Sequence, residues 1–249
     1  MRLLLTALTA LLLISTKAHA FFTIDYNEQW LRNDAYNRAM SQAKKDLEGS
    51  SSSRSSSRAR ARSTAPAARK PSTQADPLWT GKLVVLRNGE VLDSKPLEEM
   101  AQMVPAAQRK EAQTLFKQIV VTFNNNVEKL YGVPKENVAT GIVTLLAGGY
   151  AAYYNKPFPE NAIKPSVEQV RTYLQGKPEA FKPGSERMRS YMQSVGLGML
   201  LSLMQQEVQK SGSAADAAQL KAEGARVFRA VLHVEPEEVE FTSSGLRFR

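Results

Sequence analysis

The sequence predicts a mostly α fold: a compact helical domain of about six helices with two short β-hairpins over residues 78–249, preceded by a signal peptide and a disordered basic linker. Three observations carry this prediction. Apolar residues recur at helical spacing in successive stretches, turn signatures sit between short alternating runs at both ends of the domain, and a Ser/Arg tract separates the domain from an apolar start. Hydrophobic side chains make up 43% of the 249 residues, which fits one core diluted by a polar tract.

The chain opens with Arg2, an apolar run from Leu3 to Ser15, and Ala18-His19-Ala20. A charged start, an apolar stretch and small residues at −3 and −1 are the parts of a secretory signal, so cleavage is expected after Ala20 and the mature chain in the periplasm or outside the cell. The run is shorter than the ~20 residues that span hydrocarbon, and so are Ile142–Tyr154 and Val195–Met204. No transmembrane segment is therefore expected in the mature chain.

Residues 21–48 are rich in aromatics and carry Trp30 and Tyr36 at helix-compatible spacing, candidates for folding back on the domain or for offering an amphipathic helix to a partner. The linker, 49–77, holds basic residues from Arg54 to Lys70 and no large apolar side chain before Ala75. Such a stretch buries too little surface to offset the entropy of ordering it. As a tether its reach is about 30 Å. Arg54, Arg58, Arg60 and Arg62 could alternatively bind an anionic envelope polymer; with no aromatic between them and export expected, nucleic acid is not an expected partner.

The domain begins with Leu83–Leu86, Asn88-Gly89 and Val91-Leu92, a hairpin signature with Asn-Gly suited to a type I′ turn. Pro96 opens a short helix with Leu97, Met100 and Val104 inward. Pro105 restarts a longer one with Leu115, Ile119, Phe123, Val127 and Leu130 on one stripe, ended by Gly132. From Asn137 a third helix is apolar nearly all round, which marks it as the central one. Ser166 with Gln169 reads as a capping box opening a fourth, Ser185 as the cap of a fifth with Met188, Met192, Val195, Met199 and Leu203 on one face, and Ser213 with Asp216 as the start of a sixth with Leu220, Val227, Phe228 and Val231 inward. Val239 and Phe241, a Ser243-Ser244-Gly245 turn, then Leu246 and Phe248 predict the closing hairpin.

The chemistry available is narrow. The chain has no cysteine and two histidines, His19 and His233, of which one survives loss of the signal, so thiol chemistry and His-rich metal sites are excluded and no metal or other cofactor is predicted. His233 sits at a helix end, where an imidazole is usually structural. Asp216 reads as part of a cap, and Glu238 and Glu240 fall on the solvent face of a strand. No catalytic residue is proposed. Gly148-Gly149 and Gly196/Gly198 inside helices each cost about 1 kcal/mol relative to alanine, which points to two helix backbones in close approach. Met188, Met192, Met199 and Met204, at helical spacing, could line a groove but read first as core. Tyr150, Tyr153 and Tyr154, before the Lys156-Pro157-Phe158-Pro159 loop, form the aromatic patch most suited to binding a partner.

Asn137-Val138-Ala139, the helix end Tyr150-Ala151-Ala152-Tyr153-Tyr154, the Ser166–Tyr173 stretch with Arg171, and the closing run from Val239 to Gly245 resemble the bacterial domain-of-unknown-function family 6683 from about Pro96 to Phe248. The resemblance implies an exported protein laid out as signal, variable stretch and helical domain, and supplies no activity. The function expected is that of a non-enzymatic periplasmic or secreted interaction module for a protein or envelope partner. The alternatives are a small-ligand binder or hydrolase using Glu and Tyr groups in a helical cleft, or the polymer binder described above.

Overall fold

The computed structural model describes residues 76–81, 84–86, 89–177 and 184–249. The signal, Trp30, Tyr36 and the linker residues Arg54, Arg58, Arg60 and Arg62 lie outside the described residues, as do Leu83 and Asn88.

Among the described residues six α-helices follow one another: α1 (Lys95–Ala101), α2 (Arg109–Tyr131), α3 (Val138–Tyr154), α4 (Glu160–Gln175), α5 (Gly184–Ser211) and α6 (Ala214–Leu232). An antiparallel hairpin closes the chain, β1 (Val239–Thr242) against β2 (Gly245–Phe248), with Val239 opposite Phe248 and Phe241 opposite Leu246. Single 3-10 turns, Ala106–Gln108 and Pro236–Glu238, lead into α2 and β1.

Helix α3 is central because it is apolar all round and can satisfy neighbours on every side. The Asn137 side chain caps it by accepting from the Ala139 N–H at 3.0 Å. Helix α5 runs beside α3 in the same direction, Gly141 meeting Tyr191 and Gly148 meeting Gly198; α6 runs the opposite way, with Val227 against Gly149 and Gly224 against Tyr153. The main core joins α1, α2, α3, α5 and α6 around Phe116, Tyr191 and Phe228. A second cluster lies between α2, α3 and α4, where Leu78 from the entering chain meets Val127, Val143 and Val167.

Several local readings change. Helix α4 begins at Glu160 and carries Pro165 inside it, so Ser166 is a buried interior residue rather than a cap. Gln169, read as its capping partner, instead clasps β2: its amide accepts from the Leu246 N–H at 2.8 Å and donates to the Leu246 carbonyl at 2.9 Å, completing the edge as a third strand would. Ser185 lies within the first turn of α5 rather than ahead of it. Leu130 is 63% exposed, because the stripe of α2 turns away from the core over its last turn. The first hairpin is a single Val85–Val91 bridge. The Leu86 N–H donates to the Glu90 carbonyl at 2.7 Å and Gly89 takes φ +79°, while Asn88, the other half of the Asn-Gly signature, is among the residues not described. The Ser213 cap of α6, accepting from Asp216 N–H at 3.3 Å, and the solvent-facing Glu238 and Glu240 are as read.

Candidate functional site

The interior glycines are where helices touch. A Cβ on Gly148 would lie 2.1 Å from the Gly198 carbonyl oxygen, and one on Gly198 2.3 Å from that of Thr144. On the adjoining face a Cβ on Gly224 would lie 2.5 Å from the Gly149 oxygen. No side chain fits at these points, so α3 meets α5 and α6 backbone to backbone there.

A neighbouring face of the same helix is open. Above α3, between α2, α4 and α5, lies a groove of about 340 Å³, within the usual size range for small-molecule sites. Phe123 and Val127 of α2, Val143 and Ala147 of α3, Ile163 of α4 and Met199 of α5 make its walls chiefly apolar. Its threonine and serine hydroxyls are engaged by backbone carbonyls: Thr140 donates to that of Pro134, in the loop before α3, at 2.7 Å, Thr144 to that of Thr140 at 2.8 Å, and Ser202 to that of Gly198 at 3.1 Å. Gln205 differs. It lines the groove at 2% exposure, and its amide nitrogen is buried with no hydrogen-bond partner. Glu160, exposed, is the one charged residue of the lining, and Tyr131 its one phenol.

The three tyrosines at the end of α3 are brought together, and they face the closing hairpin. Tyr150 packs edge-on against Phe158 at 5.4 Å and Phe241 at 5.8 Å. The Tyr154 hydroxyl donates to the Pro236 carbonyl at 2.9 Å, and that of Tyr153 to the Glu237 carboxylate. Lys156 lies over the Tyr150 and Tyr154 rings, Lys221 over Tyr153. The hydrogen bond to Glu237, then burial, pushes the Tyr153 phenol up to about 12, and the same bond holds the Glu237 carboxyl below its ordinary value. The arrangement latches the hairpin to α3 while leaving part of each ring in solvent.

Two polar networks fasten the entering chain. Glu136, buried and at φ +53°, accepts from the Val84 N–H at 2.7 Å and the Asn124 amide at 2.9 Å; Asn124 in turn accepts from the buried Tyr191 hydroxyl at 2.5 Å. Asp76, at the end of the stretch read as linker, binds the Asn137 amide at 3.0 Å and Arg171 at 2.9 Å. Glu223 is buried on α6, its carboxyl raised by desolvation against the opposing pull of Arg226 at 2.8 Å. Among the described residues no group of three or more His, Cys, Asp or Glu is placed to hold a metal ion. No described helix is long and apolar enough to cross a membrane. His233 is exposed at the left-handed C-cap of α6.

The profile of DUF6683, a family of unknown function, matches residues 1–249. The chain belongs to DUF6683. The segments that suggested this family have structural tasks here: Asn137 caps α3 and, with Arg171, secures Asp76, while the tyrosines and the closing strands form the latch. No curated protein and no solved structure matches the chain. In this member of DUF6683 the groove escaped the sequence reading. Its trace was a small one, polar Thr140/Thr144 and Ser202/Gln205 at i,i+4 and i,i+3 spacing on otherwise apolar helices.

Proposed function

We propose that the protein is an exported, non-enzymatic binding module that receives its partner in the groove between α2, α3, α4 and α5. The observation that carries this reading is the lining itself: apolar walls, threonine and serine hydroxyls bonded to backbone carbonyls, and a single carboxylate, Glu160, at the rim. Hydrolysis by a carboxylate pair needs two such groups flanking one substrate bond, and the lining offers one carboxylate, with the Tyr131 phenol as its other ionisable group. Elsewhere Glu99 pairs with Arg189 at 2.6 Å, Glu136 accepts from backbone N–H groups, and Glu235 pairs with Arg229 at 2.7 Å. Export rests on the three-part signal, and the aromatic 21–48 segment would extend the same module beyond the domain.

The test is retention on immobilised full chain, wild type against Ala147→Phe, with every retained compound compared chemically before and after contact. Material held by the wild type, released unchanged and lost from the variant supports binding through the groove. Conversion of retained material, abolished by Glu160→Gln, would establish the hydrolase instead. The mass of chain recovered from the cell envelope or medium should correspond to a start at Phe21; recovery of unprocessed chain from the cytoplasm alone would refute export.

A further inference from the structure

We infer that the groove takes an uncharged, apolar small molecule carrying one hydrogen-bond acceptor, a ketone or ester on a medium-length chain, with Gln205 as the residue that reads the acceptor. This deepens the binding reading above and rests on it.

The argument begins with the amide of Gln205. A polar group taken out of water without a partner is destabilising, and native interiors rarely leave one so. Here the amide nitrogen is buried and unpartnered beside a groove of about 340 Å³, while the hydroxyls of Thr140, Thr144 and Ser202 in the same lining already donate to carbonyls. The unmet requirement is thus one acceptor, supplied from the groove after a small rotation of the side chain. Binding that supplies it removes an existing deficit of the free protein, in addition to burying apolar surface against Phe123, Val143 and Met199.

Charge narrows the class. No lysine, arginine or histidine lines the groove, so a carboxylate or phosphate head would be buried without a counter-charge, and Glu160 at the mouth would repel it. A long polar ligand is excluded by the walls. A neutral carbonyl on a hydrocarbon body satisfies both constraints.

The test uses the full chain and the neutral dye N-phenyl-1-naphthylamine, whose emission rises in apolar sites, displaced by 2-nonanone or by the charged nonanoate. The wild type should take up the dye and release it to 2-nonanone at far lower concentration than to nonanoate. Gln205→Leu should still take up the dye but bind 2-nonanone about tenfold more weakly, the change that corresponds to ~1.4 kcal/mol. Ala147→Phe, filling the groove, should abolish uptake while melting at the wild-type temperature. Equal 2-nonanone affinity in wild type and Gln205→Leu overturns the role of the amide; preference for nonanoate overturns the neutral class. Both results leave binding through the groove intact. No uptake by the wild type, whether because another part of the chain or a second copy covers the groove, overturns the proposal together with its ligand class.

Discussion

Helix α3 has two faces of opposite character. Toward α5 and α6 it has been stripped to backbone, so that Gly148 meets Gly198 and Gly149 meets Gly224 with no space for a methyl group. Toward α2 and α4, round the side of the same helix, Val143 and Ala147 look onto an open groove. Both faces are apolar, and hydropathy alone treats them alike. The difference teaches that here small residues mean contact where both partners are glycine and space where one neighbour recedes.

The sharpest way to break this comparison is to add one carbon to the closed face. Gly198→Ala should lose about 2 kcal/mol in urea denaturation: overpacking a rigid seam costs ~1–3 kcal/mol, and the better helix propensity of alanine returns only a part. Gly148→Ala should behave likewise. Wild-type stability in either variant would mean that the seam gives way easily and that the two faces do not differ.

Adding a whole ring to the open face should cost far less. Ala147→Phe is expected to change stability by no more than ~0.5 kcal/mol, the scale of substitutions that meet no packed neighbour. Gln205→Leu should be neutral or stabilising by up to ~1 kcal/mol, since it removes a buried donor that has no partner. Thermal melts of the three variants side by side give the ranking. A loss in Gln205→Leu as large as that of Gly198→Ala would show that the amide is already satisfied by water, and the groove would lose its reader.

The closed face was legible in the sequence, and the open one was not, for a physical reason. Four glycines in two helix interiors have a cost that demands compensation, so Gly148-Gly149 and Gly196/Gly198 announce close approach; Gly196 does so by admitting Met100 and Phe116 rather than a helix backbone. A groove is a property of where helices fail to meet, and no residue type encodes it. Met199 illustrates this, since it packs against the core as its spacing predicts and lines the groove as well. The capping box at Ser166 misled because the same Ser–Gln spacing serves Gln169 in gripping β2 from mid-helix. Glu136 gave no signal at all: a single acidic residue after Val133-Pro134 looks like solvent-facing loop, and only the fold brings the Val84 N–H to it.

A last prediction separates the seams from the latch by pH. The Gly148–Gly198 contact contains no ionisable group, whereas the hairpin is held by Tyr153 to Glu237 and steadied by Arg229 to Glu235. The carboxyls of Glu237 and Glu235 are both lowered in the folded chain, chiefly by hydrogen bonds from Tyr153 and from Arg229. Their contribution is therefore fully present above the unfolded value of 4.5 and is lost as pH falls through the depressed folded values. Tyr153 runs the other way: its phenol rises from 10.0 to about 12, so its contribution is complete below 10.0 and disappears as pH climbs through about 12. Glu223, raised by burial, opposes the acid trend from α6, which makes a local probe necessary. Amide resonances of Val239–Thr242 and Gly245–Phe248 should shift or broaden on acidification below pH 4.5 while those of α3 near Gly148 stay in place. In a tyrosinate absorbance titration, Glu237→Gln should move one late ionisation from about 12 back toward 10.0. These exposed contacts make this the smallest effect of the series. Were the hairpin and the seam to respond to acid together, the latch would be part of the same cooperative core, and the contrast between α3's packed middle and its tyrosine end would collapse.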